Sequence, residues 1–207
     1  EISACLVGSE MCIRDSSSIG ECNITDVIIN NNKLREKIPD DLPEKVRGAK
    51  IVSYRRRAKY IVMGLDNGYS LIWHMGMSGK IKITDGKPTP PEKHDHVMIQ
   101  TGNGWITFND ARRFGVVTYC RSDRLTDLAS FKNAGPEPLE ENFNADYLFQ
   151  KLQTKKIPIK AALLDQTLVV GIGNIYASES LFDAGISPLR AANTLNRRAV
   201  SYTHLTL

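Results

Sequence analysis

The stretch Leu168-Val-Val-Gly-Ile-Gly-Asn-Ile-Tyr-Ala-Ser-Glu-Ser-Leu-Phe182 decides the reading of this chain. It runs as an apolar approach, a turn carrying Gly171 and Gly173, and a helix that Asn174 is predicted to open. Asn suits an N-cap because its side-chain oxygen accepts from the backbone N–H groups that a first turn leaves unpaired. Ile175, Ala177, Leu181, Phe182 and Ala184 recur at near-helical spacing, and Gly185 ends the run. A helix start flanked by glycines also suits an anion, since free N–H groups point outward and no Cβ blocks approach. A capped helix between tight turns is the plain alternative. The third glycine and the preceding βα context of a dinucleotide fingerprint are lacking.

Before this stretch the chain reads as short strands. Asn23 to Asn30 is one, and Asp40 to Lys45 is a proline-bearing connection. Lys50 to Leu65 is a strand pair or one bent strand, with Tyr60, Val62 and Gly64 on one face and Ile61, Met63 and Leu65 on the other. Asp66-Asn-Gly68 is a hairpin turn, and Tyr69 to His74 returns. Gly76 and Gly79 bracket an exposed tip. Lys80 to Thr84, Val97 to Thr101, Trp105 to Phe108 and Phe114 to Cys120 follow, separated by turn signals. Such a series predicts a β-sandwich.

The pattern changes after Gly135-Pro-Glu-Pro138. Asn144 caps a predicted helix to about Gln153, Pro158 starts a second, and Ser187-Pro188 starts a last one toward Arg198. Strands followed by helices imply an α+β chain of two segregated domains. The expected boundaries are a β-sandwich over 17–134, a junction over 135–143 and a helical domain over 144–199. Residues 1–16 and 200–207 fit neither pattern and read as foreign to the fold, resembling translated adapter sequence.

The net charge of +4 is mild, but Lys45 to Lys59 holds seven basic residues. Such a run is a solvated face unless it lines a nucleic-acid groove. No apolar run reaches membrane-spanning length. Cys5, Cys12, Cys22 and Cys120 are scattered without CxxC spacing, so neither a zinc site nor a redox pair is encoded, and a reducing cytosol is expected.

Several residues are candidates for chemistry. Lys59 follows a basic run; it is an edge lysine, a phosphate clamp or an acid/base group beside a sugar. His94, with His96 two residues on, is a solvated loop histidine or half of a metal site lacking a third ligand. Met77 at a glycine-flanked tip is an interface residue or a core methionine. Arg112, Arg113 and Phe114 lie in a turn after Asn109-Asp110 and, by themselves, read as a surface ion pair and a strand start. Lys156 and Lys160 lie near the start of the helix before the opening stretch and, by themselves, read as solvated helix lysines.

The string Val170-Gly-Ile-Gly-Asn-Ile-Tyr-Ala-Ser-Glu179 resembles the helix–two-turn–helix of the bacterial formamidopyrimidine-DNA glycosylases. Arg56-Arg-Ala-Lys-Tyr60, His74-Met-Gly-Met-Ser-Gly79, Pro91-Glu-Lys-His-Asp-His96, Asp110-Ala-Arg-Arg-Phe-Gly115 and Gly135-Pro-Glu-Pro-Leu139 match the same family in its chain order. Together the strings cover roughly Ser17 to Arg198. The resemblance implies a β-sandwich followed by an all-α helix–two-turn–helix domain. The implied activity is base-excision repair as a cytoplasmic monomer on double-stranded damaged DNA. Such an enzyme removes 8-oxoguanine and formamidopyrimidines and then cleaves the strand as an AP lyase. It implies that Lys59 acts beside the reacting sugar, that His94, Arg112, Lys156, Lys160 and Asn174 meet DNA, and that Met77, Arg112 and Phe114 fill the space of an extruded nucleotide. Extrusion costs a few kcal/mol of stacking, and inserted side chains offset part of it.

Three departures matter. Ala111 stands where the family carries proline. The family opens with Pro-Glu, its amine nucleophile, and position 1 here is glutamate. The family also carries one zinc ion in a C-terminal finger that these residues do not contain, so no metal or cofactor is expected in this chain. The resemblance therefore implies an inactive fragment. A non-catalytic damaged-DNA-binding module and the sister family that removes oxidised pyrimidines remain as alternatives; Met75-Gly-Met77 and Lys93-His-Asp-His96 favour the purine branch.

Overall fold

The computed structural model describes residues 20–86 and 90–206. The chain divides between Asp127 and Leu128 into two compact units. Residues 128–134, read from sequence with the strands, belong instead with the helices. The segment 1–16 lies outside the described residues.

In the first unit the strands are β1 (Cys22–Ile29), β2 (Lys50–Arg57), β3 (Tyr60–Leu65), β4 (Tyr69–His74), β5 (Lys80–Thr84), β6 (Asp95–Thr101), β7 (Gly104–Asn109) and β8 (Val116–Arg121). All pair antiparallel, in the order β5-β7-β6-β1-β2-β3-β4-β8. β1 pairs with β6 on one side and β2 on the other, with a register shift between Ile24 and Asp26. Such an irregularity bends a strand. The bend folds the sheet over, because Trp73 of β4 meets Phe108 of β7 at 5.8 Å between ring centres, although four strands separate theirs. One apolar core joins Ile24, Ile61, Trp73, Ile99 and Phe108. The predicted β-sandwich is therefore present.

The two faces read for β3 are both covered, since Ile61 through Leu65 are all buried. One expectation for this unit fails. The connection around Pro43 is the helix α1 (Leu42–Val46). Proline is tolerated in a first helical turn, where its missing N–H has no partner to lose, and Leu42 and Val46 are buried at i, i+4 spacing.

The second unit contains α2 (Ala145–Gln153), α3 (Ile159–Leu163), α4 (Asn174–Asp183) and α5 (Arg197–Thr206). As predicted, the Asn144 side chain accepts from Tyr147 N at 2.9 Å, and Gly185 follows α4 with φ of +64°. No helix starts at Ser187-Pro188. Instead, the Arg190 carbonyl accepts from Ile159 N and the Pro188 carbonyl from Lys160 N. That segment thus satisfies the first amides of α3, a use that an isolated helical pattern cannot reveal.

Residues 200–206, read as foreign, continue α5. Val200 and Thr203, one helical turn apart, are buried, and the Asn196 side chain accepts from Ala199 N at 2.9 Å. Among the described residues no helix is long and apolar enough to cross a membrane.

Candidate nucleic-acid interface

In the β unit, the candidate residues gather at one end of the sheet. Tyr60 pairs with His74 and His74 with Val116, so the β2–β3 turn, the tip after β4 and the turn before β8 are neighbours. Lys80, Asn109 and Asp95 form the corresponding rung of the other half.

Met77 is 71% exposed, so it is not a core methionine. Its tip rests on the turn before β8. A Cβ on Gly76 would lie 2.5 Å from the Phe114 carbonyl carbon, and Gly76 itself has φ of +60°. Phe114 is 45% exposed, with the Arg112 guanidinium 5.1 Å from its ring centre. The structure therefore brings Met77, Arg112 and Phe114 together as one outward group. Ala111 in place of proline leaves the turn closed, with Arg113 in the left-handed region at φ of +59°.

Beneath this group lies Asp110, which the sequence reading passed over. It is fully buried. Its Oδ1 accepts from Ser78 Oγ at 2.5 Å and Arg112 N at 3.2 Å, and its Oδ2 accepts from Gly115 N at 2.8 Å. Its backbone N–H donates to the His94 carbonyl at 3.0 Å, and its carbonyl accepts from His96 Nε2 at 2.8 Å. His96 is thus buried with its Nε2 engaged, and His94 is half-buried. Asp95, between them, is also buried. Burial acts to raise its carboxyl, but Asn109, the Glu92 N–H and Lys82 hold it below the usual carboxylate range.

Lys59 is half-buried in the β2–β3 turn, after Ala58 with φ of +54°. His74 was another omission. Its Nδ1 accepts from Gly76 N at 3.0 Å, and its ring lies 4.7 Å from that of Tyr60. Burial, then the charges of Arg35 and Lys59, push its pKa down to about 4. These charges place two cations close to the base of the Met77 tip. Part of the basic run is internally paired, Arg47 with Asp26 and Lys50 with Glu21.

In the helical unit Gly173, in extended backbone, is the N-cap of α4, and Asn174 is the first helical residue. The predicted Asn174 cap is therefore corrected: no side chain caps this helix. A residue inside the helix no longer has the N-cap geometry from which to reach the amides ahead of it. Asn174 is exposed at a helix start whose first N–H groups have no intrahelical partner, the arrangement that suits a phosphate oxygen.

Two unanticipated residues hold this turn. Gln166 accepts from Gly171 N at 3.0 Å and donates to the Leu164 and Ile172 carbonyls. Asp165 binds Lys155 at 2.8 Å and Thr167 at 2.7 Å, which bring its carboxyl down to about 2. Lys155 is thus paired within the unit, whereas Lys156 is exposed and Lys160 half-buried in α3.

Both units match known protein domains. The formamidopyrimidine-DNA glycosylase N-terminal domain matches residues 12–117, and the formamidopyrimidine-DNA glycosylase H2TH domain matches residues 134–207. The formamidopyrimidine-DNA glycosylase of Zymomonas mobilis is 45% identical over 190 residues, covering 90% of this chain and 69% of that protein. Two structures of the Lactococcus lactis enzyme superpose with a TM-score of 0.89 at 30% identity, covering 97% of this chain. One, of which 77% is covered, is bound to DNA containing an AP site, and the other, of which 76% is covered, to DNA containing FAPY-dG. The chain spans 57% to 69% of the length of the curated relatives it matches.

A sandwich with an outward Met–Arg–Phe group and a helix–two-turn–helix unit define the class: a DNA-repair glycosylase fold. The chain belongs to the formamidopyrimidine-DNA glycosylase family.

Proposed function

We propose that this chain serves base-excision repair of double-stranded DNA, turning oxidised purines such as 8-oxoguanine and formamidopyrimidines out of the helix. Excision and AP-lyase strand cleavage are the reaction of the whole protein, which also carries a zinc ion in a C-terminal finger and acts as a cytoplasmic monomer. One observation carries the reading: Met77, Arg112 and Phe114 stand together and exposed over a buried hydrogen-bonded base. Exposed apolar side chains on a rigid support fit a vacated base stack, where they recover contacts that extrusion removes.

In the reaction of this family an amine attacks the sugar C1′, the bond from C1′ to the base nitrogen breaks, and the base departs as a proton is transferred to it. Loss of the amine proton, followed by cleavage of the C1′–O4′ bond with O4′ taking up a proton, opens the sugar and leaves an iminium that activates it for β- and then δ-elimination. In this reading Lys59 does phosphate and acid/base work beside that sugar. His94, Arg112, Lys156, Lys160 and Asn174 bind the backbone, which positions the duplex without reading its sequence.

The test compares binding to duplexes carrying 8-oxoguanine, an oxidised pyrimidine or no lesion across a salt series. Preference for the purine lesion with a steep salt dependence is expected. A flat salt dependence or equal affinity for all three duplexes would overturn the reading.

A further inference from the structure

The proposed function depends on two separate loops, the tip at 75–79 and the turn at 110–115, presenting one surface. Apolar contact alone leaves such loops free to slide. Here one buried carboxylate spans both. Asp110 belongs to the turn and closes it through Arg112 N and Gly115 N. It also takes Ser78 Oγ at 2.5 Å, and Ser78 Oγ in turn accepts from Arg112 N at 3.2 Å. Ser78 is the residue immediately after Met77, and Phe114 immediately precedes Gly115. The carboxylate thus stands one residue from each apolar member of the group. Its main chain is fixed on the other side by the His94 carbonyl and His96 Nε2.

We propose that Asp110 is a positioning residue for base extrusion, acting through Ser78 to couple the Met77 tip to the Arg112–Phe114 turn. The inference rests on the reading of Met77, Arg112 and Phe114 given above. The chemistry favours a carboxylate over an amide at this place. Three donors converge on two oxygens, and an ionised carboxylate is acceptor-only. Asp110→Asn keeps the shape but turns a donor toward either Gly115 N or the Arg112 and Ser78 side. Buried charge-assisted bonds of this kind are stronger than neutral ones, so the coupling is stiff.

The experiment uses a duplex with a tetrahydrofuran abasic site and 2-aminopurine as the unpaired opposite base. Its fluorescence reports side chains entering the vacated stack without requiring excision. Ser78→Ala removes the Ser78–Asp110 bond between the loops; Arg112 N, which Ser78 Oγ shares, keeps its bond to Asp110, as does Gly115 N. The variant is expected to keep the wild-type circular dichroism and affinity for undamaged duplex. Its preference for the abasic duplex and its fluorescence change should fall by about fivefold, the order expected for one lost hydrogen bond. Asp110→Asn should show a larger loss in the same direction, and Ser78→Thr, which restores a hydroxyl, should recover most of it.

If Asp110→Asn fails to fold, Ser78→Ala and Ser78→Thr decide the matter. Retained preference and fluorescence in Ser78→Ala overturn the proposal. So does an equal loss of abasic and undamaged binding, which signals general disruption. If the wild-type protein itself shows neither preference nor fluorescence change, the stack-filling reading is what fails.

Discussion

Gly76 and Phe114 approach so closely that no side chain fits between them. A Cβ on Gly76 would lie 2.5 Å from the Phe114 carbonyl carbon and 2.8 Å from Gly115 N, and the backbone at Gly76 has φ of +60°. Gly76→Ala therefore combines a left-handed alanine with a main-chain collision. We expect a loss of about 1–3 kcal/mol of stability, the usual range for strain of this sort. Urea unfolding of the protein beside the variant measures it. Unchanged stability would mean that tip and turn are not packed as described.

Met77→Ala tests the outward group itself. The side chain is 71% exposed, so its removal leaves little cavity in the fold. Stability should change by less than about 0.5 kcal/mol, as for ordinary surface substitutions. Base extrusion, followed with a fluorescent base beside the lesion, should fall well below wild type while undamaged-duplex binding stays level. Extrusion that survives the substitution would remove Met77 from this role.

Strand periodicity and turn residues exposed most of the β unit, because Asn–Gly and Gly-rich turns act locally. The exceptions had non-local causes. The stretch around Pro43 read as a connection, yet Leu42 and Val46 bury a helical turn around it. Asn174 read as a cap, yet Gly173 supplies the extended backbone of that position. The surface members of the site were legible because exposed Met77 and Phe114 need a purpose. Asp110, His74 and Gln166 were not, because their work consists of bonds to backbone groups that sequence spacing does not display. The segment 200–206 was misjudged because its helical face shows only once there is a core for Val200 to enter.

The pH dependence of stability should carry the mark of His74. Burial, with Arg35 and Lys59, lowers its pKa from 6.5 to about 4. Between those values the unfolded chain binds a proton that the folded chain excludes. Stability therefore rises with pH across this window, is fully present above about 6.5, and is lost as pH falls toward 4. His74→Asn retains an acceptor for Gly76 N but cannot titrate, so its profile should be flatter there. Asp165, whose carboxyl lies at about 2, titrates below the window and does not mask the effect. Equal slopes for wild type and variant would show that His74 is not held neutral.

Lys156 and Asn174 should differ in how they bind DNA. Lys156 is an exposed cation and Asn174 a neutral side chain at the uncapped start of α4. Lys156→Ala should weaken binding to all duplexes alike and reduce the log–log salt slope by about one. Asn174→Ala should weaken binding with nearly the same slope, because no counterion-releasing charge is removed. Filter binding across a salt series separates the two. A Lys156→Ala slope equal to wild type would mean that this lysine does not meet phosphate.

The last prediction concerns α5. Arg197 pairs with Asp146 and lies 6.0 Å from the Phe149 ring centre, while Val200 is completely buried in the core that holds Leu148 and Leu152. Two consequences follow from that burial. Val200→Ala removes two methyl groups from a packed interior and should cost about 2 kcal/mol. Val200→Asp places a carboxylate among the apolar side chains of that core, and an unpaired buried charge costs several kcal/mol, enough to unfold a small helical unit. Thr203→Ala should be milder, since its hydroxyl donates to the Ala199 carbonyl within the same helix. Urea titration followed by circular dichroism at the helical band ranks the three. If the segment were an unstructured appendage, all three variants would unfold with the wild-type midpoint, and the packing of α5 would be refuted.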